Sequence, residues 1–347
     1  MSDNNFKLSG GNMDIENYDD YIRKLIVDIK NTNWDDEWFD PIKAHICCRL
    51  SQLSYLAIPR YEFEKRGRFK VIPSDEYQSI MRNKITGAIL TEDKLSGLIS
   101  QTIDNGEIPS TFVIPGAQLV HVGVRVNNII FVAVRGTAKL YESSRLYDIG
   151  LDFNIRKVRI FDSLYLHKGF YSAAMENLQV LYKRLYELAG GRSDVKVIFT
   201  GHSLGGAIAA ILTNHFHQLL PNADRTYYPF RDRKWLGENT KIFRDNLSLH
   251  SSYTFGTPRI MNLAGASYLM SPYTICHSKD IIANIPPKFL NYADFTFHLE
   301  MELDDYSVRD LTKKWSWKNA PLVKRALSKL RYHSVNNYLL TCEHLMK

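Results

Sequence analysis

One stretch decides the fold of this chain: residues 195–206, which read VKVIFTGHSLGG. Its first part is apolar and rich in β-branched and aromatic residues, which predicts a buried strand ending at Thr200. The pattern G-x-S-x-G follows at residues 201–205, and the small and apolar residues 207–212 then predict a helix. A serine on such a sharp strand-to-helix turn projects its hydroxyl above the strand ends, and glycines are needed because strand and helix pass closely. The stretch therefore predicts a nucleophilic serine, Ser203.

The flanking segments alternate between strand and helix patterns. Residues 118–126 alternate in polarity, Asn127-Asn128 marks a tight turn, and residues 129–134 are almost entirely apolar. This predicts a hairpin that leads into a buried strand. Further predicted elements are helices at 44–53, 171–188 and the stretch after Gly206, and a strand at 247–255. The succession predicts an α/β fold with a mostly parallel central sheet flanked by helices.

The chain shows no linker that would divide it. Residues 1–20 are polar and predict a flexible N-terminal tail, and residues 21–347 predict a single α/β domain. Two segments, 58–110 and 221–246, are predicted to be insertions; helices are favoured within the first of them at 76–82 and 92–102.

Composition excludes several classes of protein. The 347 residues are 45% hydrophobic and 23% charged, which is typical of globular proteins. The net charge of +7 is modest, and no zinc-finger or other nucleic-acid motif accompanies it, so we expect no nucleic-acid partner. Four cysteines, two of them adjacent at Cys47 and Cys48, suggest neither a disulfide framework nor a metal site. We expect reduced thiols, no metal and no cofactor.

The first residues contain no apolar core of a signal peptide, and no apolar run reaches 18 residues. We therefore expect no transmembrane segment, and a location in the cytoplasm or export without a classical signal.

A serine hydroxyl is a poor nucleophile near neutral pH and needs a basic partner oriented by a carboxylate. On a fold with this kind of nucleophile turn, the carboxylate and then the histidine follow the serine along the chain. That order excludes His45, His121 and His167 as the base.

Several short segments together resemble the class 3 lipases, a family of α/β-hydrolases that includes fungal triacylglycerol lipases and plant phospholipase A1-type enzymes. Six segments carry the resemblance in the family's order: VRGT at 134–137, HKGF at 167–170, TGHSLGG at 200–206, TFGTPR at 254–259, HSKDIIANIPP at 277–287 and YHSVNNYL at 332–339. Any one of these motifs is weak, but six in the right order are specific. The resemblance implies an α/β-hydrolase fold.

The resemblance implies Asp280 as the orienting carboxylate and His333 as the base. Near Asp280 this chain departs from the family pattern, since Ile282-Ala283 stands where the family has Val-Pro. Asp294 is the alternative carboxylate. The alternative bases are the other histidines after Ser203, namely His277, His298 and His344.

An ester-cleaving serine also needs donors for the oxyanion of the tetrahedral intermediate. The amide directly after the nucleophile, that of Leu204, is one expected donor. The resemblance implies Thr137 as the second, and Asp152 as the residue that steadies this loop, although Ile149 replaces the family's usual tryptophan.

Two segments allow a functional and a plain structural interpretation. Residues 138–147, just after Thr137, are either an apolar lid or an ordinary surface loop. Residues 309–331 combine eight basic residues with Trp315 and Trp317, which suits contact with an anionic membrane surface. A charged outer face over a core-facing stripe is the commoner arrangement for such a segment.

Taken together, the sequence predicts hydrolysis of lipid esters, of triacylglycerol lipase or phospholipase A type, through an acyl-enzyme on Ser203. Two alternatives remain: an acyltransferase or thioesterase with the same residues, and a non-catalytic lipid-binding protein on this fold.

Overall fold

The architecture of the chain is that of a computed structural model. It describes residues 15–57, 61–63, 69–71, 90–104, 110–116, 119–136, 156–161, 163–219, 247–302 and 332–347. The predicted lid, the basic segment 309–331, Thr137, Asp152, the predicted helix at 76–82 and the insertion 221–246 lie outside these residues.

Eight α-helices occur in the described part of the chain: α1 (Ile15–Asn31), α2 (Pro41–Ser54), α3 (Glu92–Thr102), α4 (Lys168–Glu176), α5 (Leu178–Ala189), α6 (Leu204–Leu219), α7 (Leu263–Tyr268) and α8 (Val335–Leu345). The strands are β1 (Tyr61–Phe63), β2 (Phe69–Val71), β3 (Thr111–Pro115), β4 (Val120–Val126), β5 (Ile129–Arg135), β6 (Lys157–Phe161), β7 (Leu164–His167), β8 (Val195–His202), β9 (Leu247–Leu249), β10 (Tyr253–Phe255), β11 (Tyr273–His277) and β12 (His298–Met301). Short 3₁₀ turns occur at Ile282–Asn284 and Lys288–Leu290.

Eight strands form the central sheet, in the order β12-β11-β10-β8-β5-β4-β3, with β9 also paired to β8. The pairs from β12 through β5 are parallel, whereas β4 pairs antiparallel with both β3 and β5. The mostly parallel sheet predicted from the sequence is confirmed. The β4–β5 hairpin turns at Asn127, whose φ of 57° is the left-handed conformation that a two-residue turn requires.

Helices cover both faces of the sheet because residues along each strand alternate in direction. On β5, Ile129, Phe131 and Ala133 pack in the cluster formed with α1, α2, α3 and α8. The alternate residues Ile130, Val132 and Val134 pack on the other face, in the cluster formed with α4, α5 and α6. This two-sided burial explains why the segment is almost uniformly apolar.

The structure differs from the sequence predictions at four boundaries. The predicted tail 1–20 is too long, because α1 begins at Ile15; its buried residues Tyr18, Ile22, Leu25, Ile26 and Ile29 recur at helical spacing. The predicted helix 171–188 is two helices, α4 and α5, separated at Asn177, whose side chain donates to the Pro115 carbonyl instead of capping α5.

The predicted strand 247–255 is also two strands, β9 and β10. Both run along the same edge of β8, β9 beside Val195–Val197 and β10 beside Thr200–His202. The helix after the serine begins at Leu204 and not after Gly206.

All four cysteines are buried and free, as expected for reduced thiols. None of the described helices is long and apolar enough to cross a membrane.

Candidate active site

Ser203 lies at the turn between β8 and α6, at the carboxyl edge of the parallel strands. Its φ is +60°, a conformation that residues with a side chain rarely adopt and that persists only where the surroundings enforce it. Its amide donates to the carbonyl of Phe255, 2.8 Å away, which ties the turn to the end of β10. The strained turn predicted from the motif is therefore present.

The glycines of the motif are required by the close approach of strand and helix. A Cβ on Gly201 would overlap the backbone of Gly205, and a Cβ on Gly205 would overlap the Val134 carbonyl of the neighbouring strand β5. Gly206 faces the side chain of Thr257 in the same way. These contacts agree with the close strand–helix approach predicted from the glycines of the motif.

The structure brings Asp280 and His333 together at the same edge of the sheet. Asp280 follows the end of β11, and His333 lies just before α8. Nδ1 of His333 and Oδ2 of Asp280 are 2.7 Å apart, and both side chains are buried. Since the carboxylate is acceptor-only, Nδ1 carries a proton, and a neutral ring in this position has its lone pair on Nε2.

Asp280 is also held by two partners that the sequence analysis did not identify. The Tyr338 hydroxyl donates to Oδ2 at 2.6 Å, and the Ile282 amide donates to Oδ1 at 2.8 Å. Burial alone would raise the pKa of this carboxyl, but the charge and hydrogen bond of His333, with the Tyr338 and Ile282 donors, outweigh it and hold the pKa below its ordinary value. Asp280 is therefore ionised at neutral pH and able to stabilise a positive charge on His333.

Nε2 of His333 is buried and has no hydrogen-bond partner among the described residues. Ser203 Oγ is thus not hydrogen-bonded to it in this arrangement. In free enzymes the bonds that act in catalysis are often long, and they tighten when substrate binds. An unbonded, buried lone pair is what a general base needs in order to accept a proton.

The alternative residues have other partners. Asp294 forms ion pairs at 2.5 Å with Arg259 Nε and Lys288 Nζ. His277 Nε2 lies 3.0 Å from Thr341 Oγ1, while His298 lies on β12 at the edge of the sheet. His344 is in the last turn of α8. None of these three histidines has a described hydrogen bond to an acidic side chain, whereas His333 does.

Gly256 allows Asp280 and Tyr338 to approach the end of β10. Its φ is +54°, and a Cβ here would lie 2.9 Å from Asp280 Oδ2 and 2.9 Å from Tyr338 Cε2. The glycine of the segment TFGTPR therefore makes room for the carboxylate and its tyrosine.

Arg259, in the same segment, organises the loop that carries Asp280. Its guanidinium donates to the Asn284 carbonyl, to the Pro286 carbonyl at 3.1 Å and to the Asn284 Oδ1 at 3.2 Å. Asn284 Nδ2 in turn donates to the Asp280 carbonyl at 3.0 Å. These bonds connect the residues on both sides of Ile282-Ala283, where the chain departs from the family pattern.

Of the expected oxyanion donors, only Leu204 is described. Its amide is at the first position of α6, where amides have no acceptor within the helix and the helix dipole is positive. Thr137 and its expected support Asp152 lie outside the described residues. Within the described ranges, no group of three or more His, Cys, Asp or Glu side chains could hold a metal ion.

Part of this chain is also similar in sequence to known proteins. Residues 131–290 match the family model described as lipase (class 3). The lipase of Rhizopus niveus is 26% identical over 167 residues, which are 47% of this chain and 36% of the relative; the Rhizopus oryzae lipase aligns equally well. The chain thus spans about a third of the length of these curated relatives.

Two solved structures were also compared. The lipase of Rhizopus microsporus var. chinensis has a TM-score of 0.43 at 21% identity, covering 70% of this chain and 76% of that one. A mutant form of MDLA from Penicillium cyclopium has a TM-score of 0.46 at 13% identity, covering 93% and 98%. Residues 131–290 are therefore similar to the class 3 lipases, and the mostly parallel sheet flanked by helices described above is an α/β-hydrolase fold.

Proposed function

We propose that this protein hydrolyses the carboxylic esters of lipids through an acyl-enzyme on Ser203. The observation that carries the proposal is the buried Asp280–His333 hydrogen bond beside the strained turn of Ser203, within a chain whose residues 131–290 match class 3 lipases. Ser203, Asp280 and His333 occur along the chain in the order serine, carboxylate, histidine. They also supply the donor and acceptor types that a serine hydrolase requires.

In the proposed reaction, Ser203 Oγ attacks the ester carbonyl carbon while His333 Nε2 takes the hydroxyl proton. The tetrahedral intermediate collapses, the ester C–O bond breaks, and the alcohol leaves with the proton from Nε2. Water then attacks the acyl-enzyme by the same steps, which releases the fatty acid and restores the serine. Asp280 stabilises the imidazolium that forms twice in this cycle.

The oxyanion of each intermediate is proposed to lie against the Leu204 amide and Thr137. Losing one such donor typically costs about 2.7–4 kcal/mol of transition-state stabilisation. Asp152 is proposed to support this side of the site from the loop after Thr137. We propose triacylglycerols, or phospholipids cleaved in the manner of a phospholipase A, as substrates; the name of the curated relatives, lipase, supports a lipid ester in general.

Labelling with a fluorophosphonate probe tests the nucleophile. We expect the wild-type protein to be labelled and Ser203→Ala to lose the label completely. Ser248→Ala, at an exposed serine on β9, is the matched control and should label like wild type. Wild-type protein that folds but takes no label would contradict the proposed enzyme and favour a lipid-binding protein.

A lipid panel tests the substrate. Triacylglycerols and phospholipids are offered in separate vesicles or emulsions, and the products are identified by mass. Release of free fatty acid supports hydrolysis, whereas acyl products on added alcohols in preference to water would show a transferase. Hydrolysis confined to soluble thioesters would contradict a lipid substrate.

A further inference from the structure

A second series of hydrogen bonds reaches His333 at its main-chain carbonyl, whereas the Asp280 carboxylate bonds to its ring. The ring of His202 bonds through Nε2 to the main-chain carbonyl of His333 at 2.6 Å, and through Nδ1 to the Tyr55 hydroxyl at 2.9 Å. We infer that Tyr55 and His202 are positioning residues that fix the backbone of the catalytic base His333. This inference rests on the proposed function, because it assigns a role toward the proposed base.

The donors and acceptors of this series have one consistent arrangement. A carbonyl oxygen only accepts, so His202 Nε2 must carry a proton. On a neutral ring the lone pair then lies on Nδ1, and the Tyr55 hydroxyl donates to it. Burial, together with the charge that His333 can take up, holds the pKa of His202 well below its ordinary value, so the ring is neutral at neutral pH. Tyr55 thereby selects the tautomer that donates to His333.

The fold brings these residues together from distant parts of the chain. Tyr55 is the C-cap residue directly after α2, His202 is the last residue of β8, and His333 precedes α8. Gly136 permits the approach, since a Cβ there would lie 2.8 Å from the Tyr55 hydroxyl and 2.9 Å from the His202 carbonyl. His202, directly before Ser203, therefore links the turn that presents Ser203 to the backbone of His333.

The ring of His202 also packs directly against the ring of the base. The two ring centroids are 4.6 Å apart, and Tyr55 meets His202 at 5.9 Å in an edge-on contact. The titratable groups that face His202 are Tyr55, His333, Tyr338, Asp280 and His277. When His333 becomes an imidazolium, a neutral His202 does not repel it, whereas a charged ring at this distance would.

Positioning of this kind affects the rate of reaction more than the binding of substrate. Small displacements of a catalytic group cost large factors in rate, because the reacting atoms must be within about 3–3.5 Å and aligned. Without the bond from His202 to its main-chain carbonyl, His333 would keep its ring bond to Asp280. Its distance to Ser203 would no longer be fixed.

The first test compares two Tyr→Phe substitutions in the full chain. Tyr55→Phe should lower kcat for a soluble ester about 3- to 10-fold and slow fluorophosphonate labelling by the same factor, with KM unchanged. The matched control is Tyr182→Phe, which removes another buried tyrosine–histidine contact, 3.3 Å from His215 Nε2 between α5 and α6. Tyr182→Phe should leave kcat at the wild-type value.

The second test restores the bond in part. His202→Leu removes the donor to the His333 carbonyl and should lower kcat about 100-fold. His202→Gln keeps an N–H donor at the end of its side chain and should recover at least tenfold of that loss. Both variants are checked for folding by thermal unfolding before kinetics. Equal losses in the two variants, with equal stability, would overturn the role of the donor.

The pH profile separates positioning from a change of charge. The acidic limb of kcat/KM reports the pKa of the base in the free enzyme. We expect the limb to stay in place in Tyr55→Phe while the plateau falls, since the substitution changes no charge facing His333. A limb that moves while the plateau is unchanged would overturn the inference. Wild-type protein without labelling would refute the proposed function itself, whereas labelling of Tyr55→Phe at the wild-type rate would refute only this inference.

Discussion

The segment between β11 and β12 carries two aspartates with different environments. Asp280, at its start, is fully buried and is bonded by His333 and Tyr338. Asp294, toward its end, is partly exposed and lies between the cations of Arg259 and Lys288. In both, burial is the largest single influence and acts to raise the pKa, but the hydrogen-bond donors and positive charges together outweigh it and lower the pKa.

The difference shows what kind of partner makes a carboxylate useful in catalysis. Arg259 and Lys288 are cations before and after any reaction, so Asp294 fixes the loop and has no change of charge to respond to. An imidazole that acts as a base becomes positive when it takes a proton, so in the proposed reaction Asp280 would stabilise a charge that appears on His333 in the transition state. The resemblance to class 3 lipases had favoured Asp280, and the partners give the physical reason.

The largest expected effect comes from removing the charge of Asp280. Asp280→Asn should lower kcat by about 10³- to 10⁴-fold with little change in KM, because the amide neither fixes the ring tautomer nor stabilises the imidazolium. Asp294→Asn is the matched control and should cost less than about tenfold, since an amide oxygen still accepts from Arg259. Steady-state kinetics on a soluble ester measure both. Equal losses would remove the distinction between the two aspartates.

A smaller effect is expected from filling the space beside Asp280. Gly256→Ala should lower the unfolding free energy by about 2–4 kcal/mol, the sum of left-handed strain and crowding against Asp280 and Tyr338. Gly191→Ala is the control for strain alone, because Gly191 has a φ of +74° and nothing within 4 Å of the added Cβ. It should cost about 1–2 kcal/mol.

Urea unfolding gives both values for the glycine pair, and kinetics add a second comparison. Only Gly256→Ala should also reduce kcat, because only that Cβ displaces the carboxylate. If the two variants lost equal unfolding free energy, the neighbours of Gly256 would have made room for the Cβ at no energetic cost, and the predicted crowding would be wrong.

Next in size is the loss of the Tyr338 hydroxyl. Tyr338→Phe should lower kcat about 3- to 10-fold, because Asp280 keeps its bond to His333 but loses the donor that orients its Oδ2. Tyr253→Phe is the control: this buried tyrosine places its hydroxyl 3.3 Å from the Trp38 carbonyl, and the variant should keep the wild-type kcat. A kcat loss that is equal in both variants would point to general destabilisation.

The smallest effect concerns Asp294 and is seen in stability as pH changes. The folded-state pKa of Asp294 is lowered, so its ion pairs stabilise the fold above the ordinary pKa of the free carboxyl and lose this effect as pH falls through the folded-state pKa. At pH 7 the unfolding free energy of the wild type should exceed that of Asp294→Asn by about 1 kcal/mol, a value typical of partly exposed ion pairs. The difference should begin to fall near the ordinary pKa of 3.8 and vanish only in stronger acid, below the lowered folded-state pKa. Urea unfolding at both pH values measures it; a difference that persists in acid would contradict the ion-pair origin.

Much of the fold could be predicted because it depends on local patterns. The alternation of residues 118–126 and the apolar run 129–134 correspond to β4 and β5, and the glycines at 201, 205 and 206 indicated the crowded strand–helix turn. The ends of the helices and strands were predicted less accurately. The separation of α4 from α5 follows from a contact of Asn177 with Pro115, 62 residues away, which no local pattern contains.

The site shows the same division. The order of Ser203, Asp280 and His333 along the chain, and the residue types that their chemistry needs, were readable from the sequence, and the class 3 lipase resemblance selected these positions. Tyr338 lies in the segment 332–339 that resembles the family, five positions after His333, but nothing in the sequence indicated its role. Tyr55 gave no signal at all, because it meets His202 across 147 residues of sequence.

By itself the sequence determined the strand–turn–helix that presents Ser203, since sterics within a few residues require that turn and those glycines. Only the tertiary structure decided which side chains surround His333. Whether a carboxylate faces an imidazole or a guanidinium depends on how segments far apart in the chain pack at one edge of the sheet, and hydrogen-bond partners are chosen there by distance in space.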